Sequence, residues 1–174
     1  MIHLELPLTK DKIKDLKTGD LVYLSGQLYT ARDAAHKRLF EMIQQNQPLP
    51  FDLKDATIYY VGPTPTMPGQ TFGSAGPTTS ARMDPYAPTL YDLGVSCTIG
   101  KGYRSKVVQD SVVKNQAIYA VAIGGAGALL GKCVKKAEPV AFEDLGAEAI
   151  LKLTVENFPI TIAFDTQGNN LYED

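Results

Sequence analysis

The chain has 174 residues, enough for one domain, expected over 1–174, with a sizeable core. Its 17 Lys and Arg against 19 Asp and Glu give a net charge of -2, which offers no basic field to nucleic acid or to an anionic membrane surface. Two cysteines and two histidines are too few for a complete four-cysteine cluster site, and no apolar run approaches the length that spans a bilayer.

Residues 2–8 alternate apolar and polar, as a strand does, and Pro7 confines that strand to an edge or an end. His3 falls on its polar face and reads as a surface histidine. The N-terminal stretch lacks the basic and apolar order of a signal peptide, so the expectation is a cytosolic, cytoplasmic protein. Lys17 to Asp20 reads as a turn. A strand runs from Leu21 to Gly26 and continues to Thr30 past a turn or bulge at Gly26. Thr30 is a candidate N-cap for a helix from Ala31 to about Gln45, with apolar residues at Ala35, Leu39, Met42 and Ile43.

Arg32 then lies at a helix start, where a cation is mildly unfavourable for the macrodipole. It either clamps an anion together with the helix-start amides or pairs with Asp33 or a nearby acid. The residues alone favour the pairing. His36 sits one turn later, either facing a site or hydrogen-bonded in a structural role.

Thr57 to Gly62 is a β-rich run that opens into a loop dense in breakers, from Gly62 through Pro63, Pro65 and Pro68 to Gly69. Gly76-Pro77-Thr78-Thr79-Ser80-Ala81-Arg82-Met83-Asp84-Pro85-Tyr86 follows. Its simplest reading is a capped helix, with Thr79 or Ser80 as N-cap and Asp84 in the first turn. Thr78 and Arg82 share a face if the turn between them is helical.

Pro85 to Leu93 resembles a short helix closed by Gly94. Val95 to Ile99 is a compact strand that ends at Gly100-Lys101-Gly102. Lys101 is by default a turn lysine, although its glycine neighbours let the ammonium project freely; the surrounding residues are not those of a phosphate-binding loop. Tyr103 to Val113 reads as an amphipathic helix, with Arg104 and Lys106 as solvated or partner-facing charges.

Ala117 to Ile123 is the most apolar strand candidate and is expected to be central. The glycines from Gly124 to Gly131 imitate a dinucleotide loop, but their spacing departs from G-x-G-x-x-G and no acidic residue ends a following strand. Close backbone packing is the preferred reading, with a substrate carboxylate or a partner near these amides as the functional alternative. Ala141 to Val155 carries two short apolar runs, Phe158 to Asp165 reads as the final strand, and Thr166 to Asp174 as a loose polar tail. Cys97 and Cys133 read as buried free thiols. Strands alternating with helices argue α/β.

The Gly76–Tyr86 stretch, followed by Ile99-Gly100-Lys101-Gly102-Tyr103-Arg104-Ser105 and preceded by Gly26-Gln27-Leu28-Tyr29-Thr30-Ala31-Arg32-Asp33-Ala34-Ala35-His36, closely resembles the β-type segment of the iron–sulfur hydro-lyases. These are the class I fumarases and L-tartrate dehydratases. The resemblance runs from about Leu4 to Phe164, with all three motifs in family order.

It implies a swivelling β/β/α domain with a mixed sheet and flanking helices. It also implies the β subunit of an enzyme that reversibly hydrates fumarate to L-malate, active only with its α subunit. Arg32, Arg82 and Lys101 match substrate-binding positions, Thr78 the proposed catalytic base. Thr79 and Ser80 would cap and orient, and Asp33 and Asp84 would fix the arginines. The [4Fe-4S] cluster would be bound by the α subunit and no metal by this chain. An α2β2 assembly is implied, with a homodimer as an option for the isolated chain. L-tartrate as substrate, a non-enzymatic dicarboxylate-binding or assembly module, and a nucleotide-binding oxidoreductase built on Gly124 to Gly131 are the alternatives.

Overall fold

Each of the short strands places one face inward and one outward, and that alternation builds two apolar layers from one sheet. The structure is a computed structural model that describes residues 2–62, 75–122 and 127–173. In chain order the elements are β1 (Ile2–Glu5), α1 (Lys10–Ile13), β2 (Leu21–Thr30), α2 (Asp33–Gln44), β3 (Thr57–Tyr59), a 3-10 turn (Ser80–Met83), α3 (Ala87–Asp92), β4 (Cys97–Gly100), α4 (Lys106–Lys114), β5 (Ile118–Val121), α5 (Gly127–Lys132), β6 (Val134–Ala141), a second 3-10 stretch (Glu143–Glu148) and β7 (Ile150–Phe164).

β2, β3, β4 and β5 pair in parallel in that order. β7 is antiparallel and pairs with β5 on one side and β2 on the other. Five strands therefore close on themselves, with β1 added beside β2 and β6 beside β7. Closure gives β3, β4 and β5 a neighbour on both sides and leaves the free edges to β1 and β6. The fifteen residues of β7 make it possible, because one long strand can serve β2, β5 and β6 along its length.

Inside the closed sheet lie Val22, Leu24, Leu28, Tyr59, Cys97, Ile99, Ile118, Ala120, Leu153 and Ile162. The alternate residues Ile58, Tyr60 and Tyr119 belong to a second layer with Ala35 and Leu39 of α2, Leu90 and Tyr91 of α3, and Val108 and Val112 of α4. This is a mixed α/β architecture with a barrel-like sheet and flanking helices.

Several sequence expectations shift. Thr30 does not cap a helix: it ends β2, and its hydroxyl accepts from the Leu151 amide at 3.0 Å and donates to the Ala149 carbonyl. α2 therefore begins at Asp33, with Arg32 extended at its N-cap position. The bulge at Gly26 is present, with φ of 124° and Leu6 packed where a side chain would stand. β6 went unread, because its face carries Lys135, Lys136 and Glu138 and only its register against β7 makes it a strand. The final strand begins eight residues earlier than Phe158.

The tail is not loose up to Glu173. The Asp165 carboxylate accepts from Thr18, Gln167 and Asn169, and the Leu171 amide donates to Ala163. Burial works against that charge, but the Asn169, Thr18 and Gln167 donors outweigh it and hold the carboxyl below the usual carboxylate range. The loop of residues 63–74 and the glycines Gly124 and Gly125 lie outside the described residues. Gly127 lies inside them, and its carbonyl accepts from the Ala75 amide at 2.9 Å.

Candidate functional site at the carboxyl ends of the parallel strands

Because β2, β3, β4 and β5 are parallel, the residues following Thr30, Tyr59, Gly100 and Val121 emerge at one end of the barrel. Ligands of parallel sheets bind at that end, where loops carry side chains beyond the last backbone pairs. Arg32 follows β2, Gly62 follows β3, and Lys101 follows β4. The Thr78–Arg82 segment is docked between the latter two. The Thr78 amide donates to the Tyr60 carbonyl at 2.7 Å, the Ser80 amide to the Lys101 carbonyl at 2.9 Å, and the Lys101 amide to the Thr78 carbonyl at 3.3 Å. Thr79 and Lys101 form a parallel bridge.

Gly100 makes this docking sterically possible. A Cβ there would stand 2.0 Å from Ser80 Oγ and 3.1 Å from the Thr78 carbonyl. The helix expected after Thr79 is a single 3-10 turn, Ser80–Met83, and Thr79 makes no side-chain capping bond. Ser80 is buried and its Oγ hydrogen-bonds the Tyr119 hydroxyl at 2.7 Å. Neither residue caps, because the backbone of this segment is already satisfied by β3 and β4.

The two arginines arrive from neighbouring elements. Arg82, half exposed, lays its guanidinium along the Asp33 carboxylate, with Nε and Nη2 donating to the two oxygens. This fork-to-fork pairing is the geometry with which arginine recognises a carboxylate. Asp33 therefore fixes Arg82, not Arg32.

The guanidinium of Arg32 lies against Gly62, where a Cβ would stand 2.2 Å from its Nη1. Glu148 lies 3.9 Å from Arg32 Nε, too far for a hydrogen bond, and spends Oε1 instead on the Ala34 amide at 3.0 Å. Arg32 Nε is buried without a hydrogen-bond partner among the described residues. Thr78 is half-buried and Lys101 exposed.

His36 is fully buried beneath this group, its ring edge-on to Tyr60 and stacked on Tyr86. Its Nδ1 lies 2.8 Å from the Arg32 carbonyl. A carbonyl only accepts, so Nδ1 carries the proton. Burial pushes the His36 pKa down to about 4, so the ring is neutral near pH 7. His36 thus holds the Arg32 backbone from below.

Asp84 fixes neither Arg32 nor Arg82. Its carboxylate accepts from Arg104 Nε and from the Ser105 amide, both at 2.8 Å. Arg104, expected as a solvated or partner-facing charge, is buried, 8% exposed. Nη1 donates to the Tyr60 hydroxyl and Thr98 Oγ1 at 3.0 Å, and Nη2 to the Ser80 carbonyl at 3.2 Å. The Tyr60 and Tyr119 rings lie about it at 5.0 and 4.9 Å. Burial opposes its charge, but the Tyr60, Tyr91 and Asp84 oxygens outweigh that and raise its pKa above the ordinary arginine value. One signal was present in the sequence. Tyr60 and Tyr119 stand on the helix-facing side of buried strands, where a phenolic hydroxyl needs a polar partner.

Among the described residues no group of three His, Cys, Asp or Glu side chains gathers as a metal site. Cys97 is buried in β4 and Cys133 precedes β6. Burial raises the thiol pKa of both, which disfavours the thiolate that a metal requires. The chain's own donors do not fit an iron–sulfur cluster. What the end of the barrel offers is cationic: arginine forks, a lysine and hydroxyls suited to a small anion with carboxylate groups.

That chemistry agrees with the family. The family model described as Fumarase C-terminus matches residues 1–174, and the chain belongs to that family. It is 42% identical over 173 residues to a candidate L(+)-tartrate dehydratase subunit beta of Methanocaldococcus jannaschii, covering 96% of this chain and 89% of that one. It is 41% identical over 175 residues to fumarate hydratase 2 of Leishmania major, covering 98% of this chain and 31% of that one. It is 42% identical over 152 residues to the anaerobic class I fumarate hydratase of Escherichia coli, covering 86% of this chain and 28% of that one. The chain thus spans most of the archaeal subunit but only about a third of the fumarate hydratases' length.

Proposed function

We propose that this chain is the β subunit of a two-component hydro-lyase that adds water reversibly to fumarate to give L-malate. The observation that carries the reading is the convergence of Arg32, Thr78, Arg82 and Lys101 on the carboxyl ends of β2, β3 and β4, in a family whose named members include hydratases and a dehydratase. On this reading residues 1–174 form one swivelling β/β/α domain, and the protein works in the cytoplasm.

Loss of water from malate breaks a C–H bond beside one carboxylate and a C–O bond beside the other. The electrons of the first become the new double bond and the proton passes to a base, while the hydroxyl leaves with the C–O electrons and takes up a proton to become water. Arg32 and Arg82 hold carboxylates, each able to present two parallel N–H donors. Asp33 keeps Arg82 extended until a substrate carboxylate shares or takes its fork. Lys101 neutralises the charge that collects on the second carboxylate as the C–H bond breaks. Thr78 transfers the proton. A threonine hydroxyl is too weak a base alone, so a carboxylate from the α subunit activates it. A [4Fe-4S] cluster, held by the α subunit and not by this chain, would supply Lewis-acid activation of the leaving hydroxyl. The assembly is α2β2.

A second reading, L-tartrate dehydratase, is favoured by a relative matched along most of both chains, which is named a subunit beta. The two substrates differ by a hydroxyl, a difference that a single donor or acceptor in the pocket can decide. Anaerobic reconstitution of this chain with an α-type partner, followed with fumarate and with L-tartrate, tests both. Turnover only in the mixture is expected, and the faster substrate names the enzyme. A complex without turnover on either substrate overturns the hydro-lyase reading and leaves a dicarboxylate-binding or assembly module.

A further inference from the structure

The Thr78–Asp84 segment carries Thr78 and Arg82 yet has little regular structure of its own. A single 3-10 turn holds at most a bond or two, and two of the residues around it, Thr79 and Arg82, are exposed. Something else must fix its conformation. Hydrogen bonds from the ends of β3 and β4 secure only its beginning, Thr78 to Ser80. The far end is held by the buried Met83, by the Asp33 fork on Arg82 and by a network centred on Arg104. Arg104 donates Nη2 to the carbonyl of Ser80, at the start of the turn, and Nε to the carboxylate of Asp84, just past its end. The same guanidinium is anchored below by Tyr60 and Thr98 on the barrel's outer face. The second oxygen of Asp84 takes the Ser105 amide at the N-cap of α4, and Tyr119 ties Ser80 Oγ to the Gly102 carbonyl.

We propose that Arg104 is the positioning residue of this site: it brackets the turn that presents Arg82 and sets where that guanidinium stands relative to Lys101, without touching substrate. The proposal deepens the hydro-lyase reading and rests on it for its kinetic arm only. Four acceptors around one planar group require the fork of an arginine. A lysine supplies the charge but can meet these acceptors with only three donors from one point.

The test compares Arg104→Lys with wild type in two ways. In amide hydrogen exchange on the chain itself, the amides of Ser80, Asp84, Lys101 and Ser105 are expected to exchange about tenfold faster or more, while those of β3, β4 and β5 hold their rates. Unchanged rates in the segment, or uniform acceleration everywhere, overturn the proposal. Should Arg104→Lys fail to fold, Asp84→Asn is read instead; acceleration at Asp84 and Ser105 supports the bracket, and none overturns it.

In the reconstituted enzyme, Arg104→Lys is expected to lower kcat/KM about tenfold or more, and the Arg82→Lys, Arg104→Lys double variant to lose no more than Arg82→Lys alone. Fully additive losses overturn the claim that Arg104 acts through Arg82. Wild-type protein without turnover defeats the hydro-lyase reading, and the exchange result still decides the positioning claim.

Discussion

Two arginine–aspartate pairs stand within a few residues of each other and have opposite characters. Arg82–Asp33 has the better fork geometry, but its arginine side chain is 54% exposed. Arg104–Asp84 uses one oxygen on Nε, and its arginine side chain is fully buried. Water screens the first pair and can replace either partner, so the pair is exchangeable, and another carboxylate can take Asp33's place. The second pair has no such substitute. Removing one partner strands a buried charge, which is why it serves as an anchor and not a ligand site.

The largest effect should come from breaking the buried pair. Arg104→Met leaves Asp84 and the Tyr60, Thr98 and Ser80 oxygens without their common donor, and is expected to cost about 3–5 kcal/mol in urea unfolding. A loss near zero would mean that the network contributes nothing to stability. The next is set by pH. His36 is neutral in the folded chain down to about pH 4, whereas the unfolded chain binds a proton below about 6.5. Its contribution is therefore intact above pH 6.5, declines as pH falls towards 4, and totals about 3 kcal/mol over that window. His36→Phe should flatten that part of the stability profile, and an unchanged slope would assign it to other groups.

Two glycines separate anchoring from ligand handling at a smaller scale. Gly100→Ala meets the Ser80 hydroxyl, the Tyr60 ring and the Thr78 carbonyl and should cost about 1–3 kcal/mol. Gly62→Ala meets mainly the movable end of Arg32, so stability should change less while turnover falls. Equal losses of stability would show that Arg32 is held as rigidly as the docked segment. Smallest of all, Asp33→Asn should move stability by no more than about 1 kcal/mol, since the pair it breaks is at the surface.

The same contrast explains what could be read before folding. Arg32 was placed at its helix start and the Gly26 bulge was found, because both depend on neighbours in the chain. Arg104 was misread because its acceptors come from Tyr60, Ser80, Asp84 and Thr98, up to 44 positions away. Within Gly-Lys-Gly-Tyr-Arg-Ser, a charge just before an N-cap serine looks solvated. Asp84 was assigned to the wrong arginine for the same reason. Alternation marks residues 2–8, and β-rich or apolar runs between breakers mark β2 to β5, whereas the charges of β6 hide it and the first eight residues of β7 lie outside the expected strand. Closure of the sheet was not legible, since nothing in β7 announces that it pairs on both sides.

That double pairing also governs how the polypeptide reaches its shape. β2 finds its antiparallel neighbour only in register Leu21↔Thr161 through Tyr29↔Lys152, so the contacts that seal the ring join segments more than a hundred residues apart. Such distant closure pays its loop entropy late and slows folding. During synthesis Val22, Leu24 and Leu28 emerge more than a hundred residues ahead of the antiparallel strand that pairs with theirs.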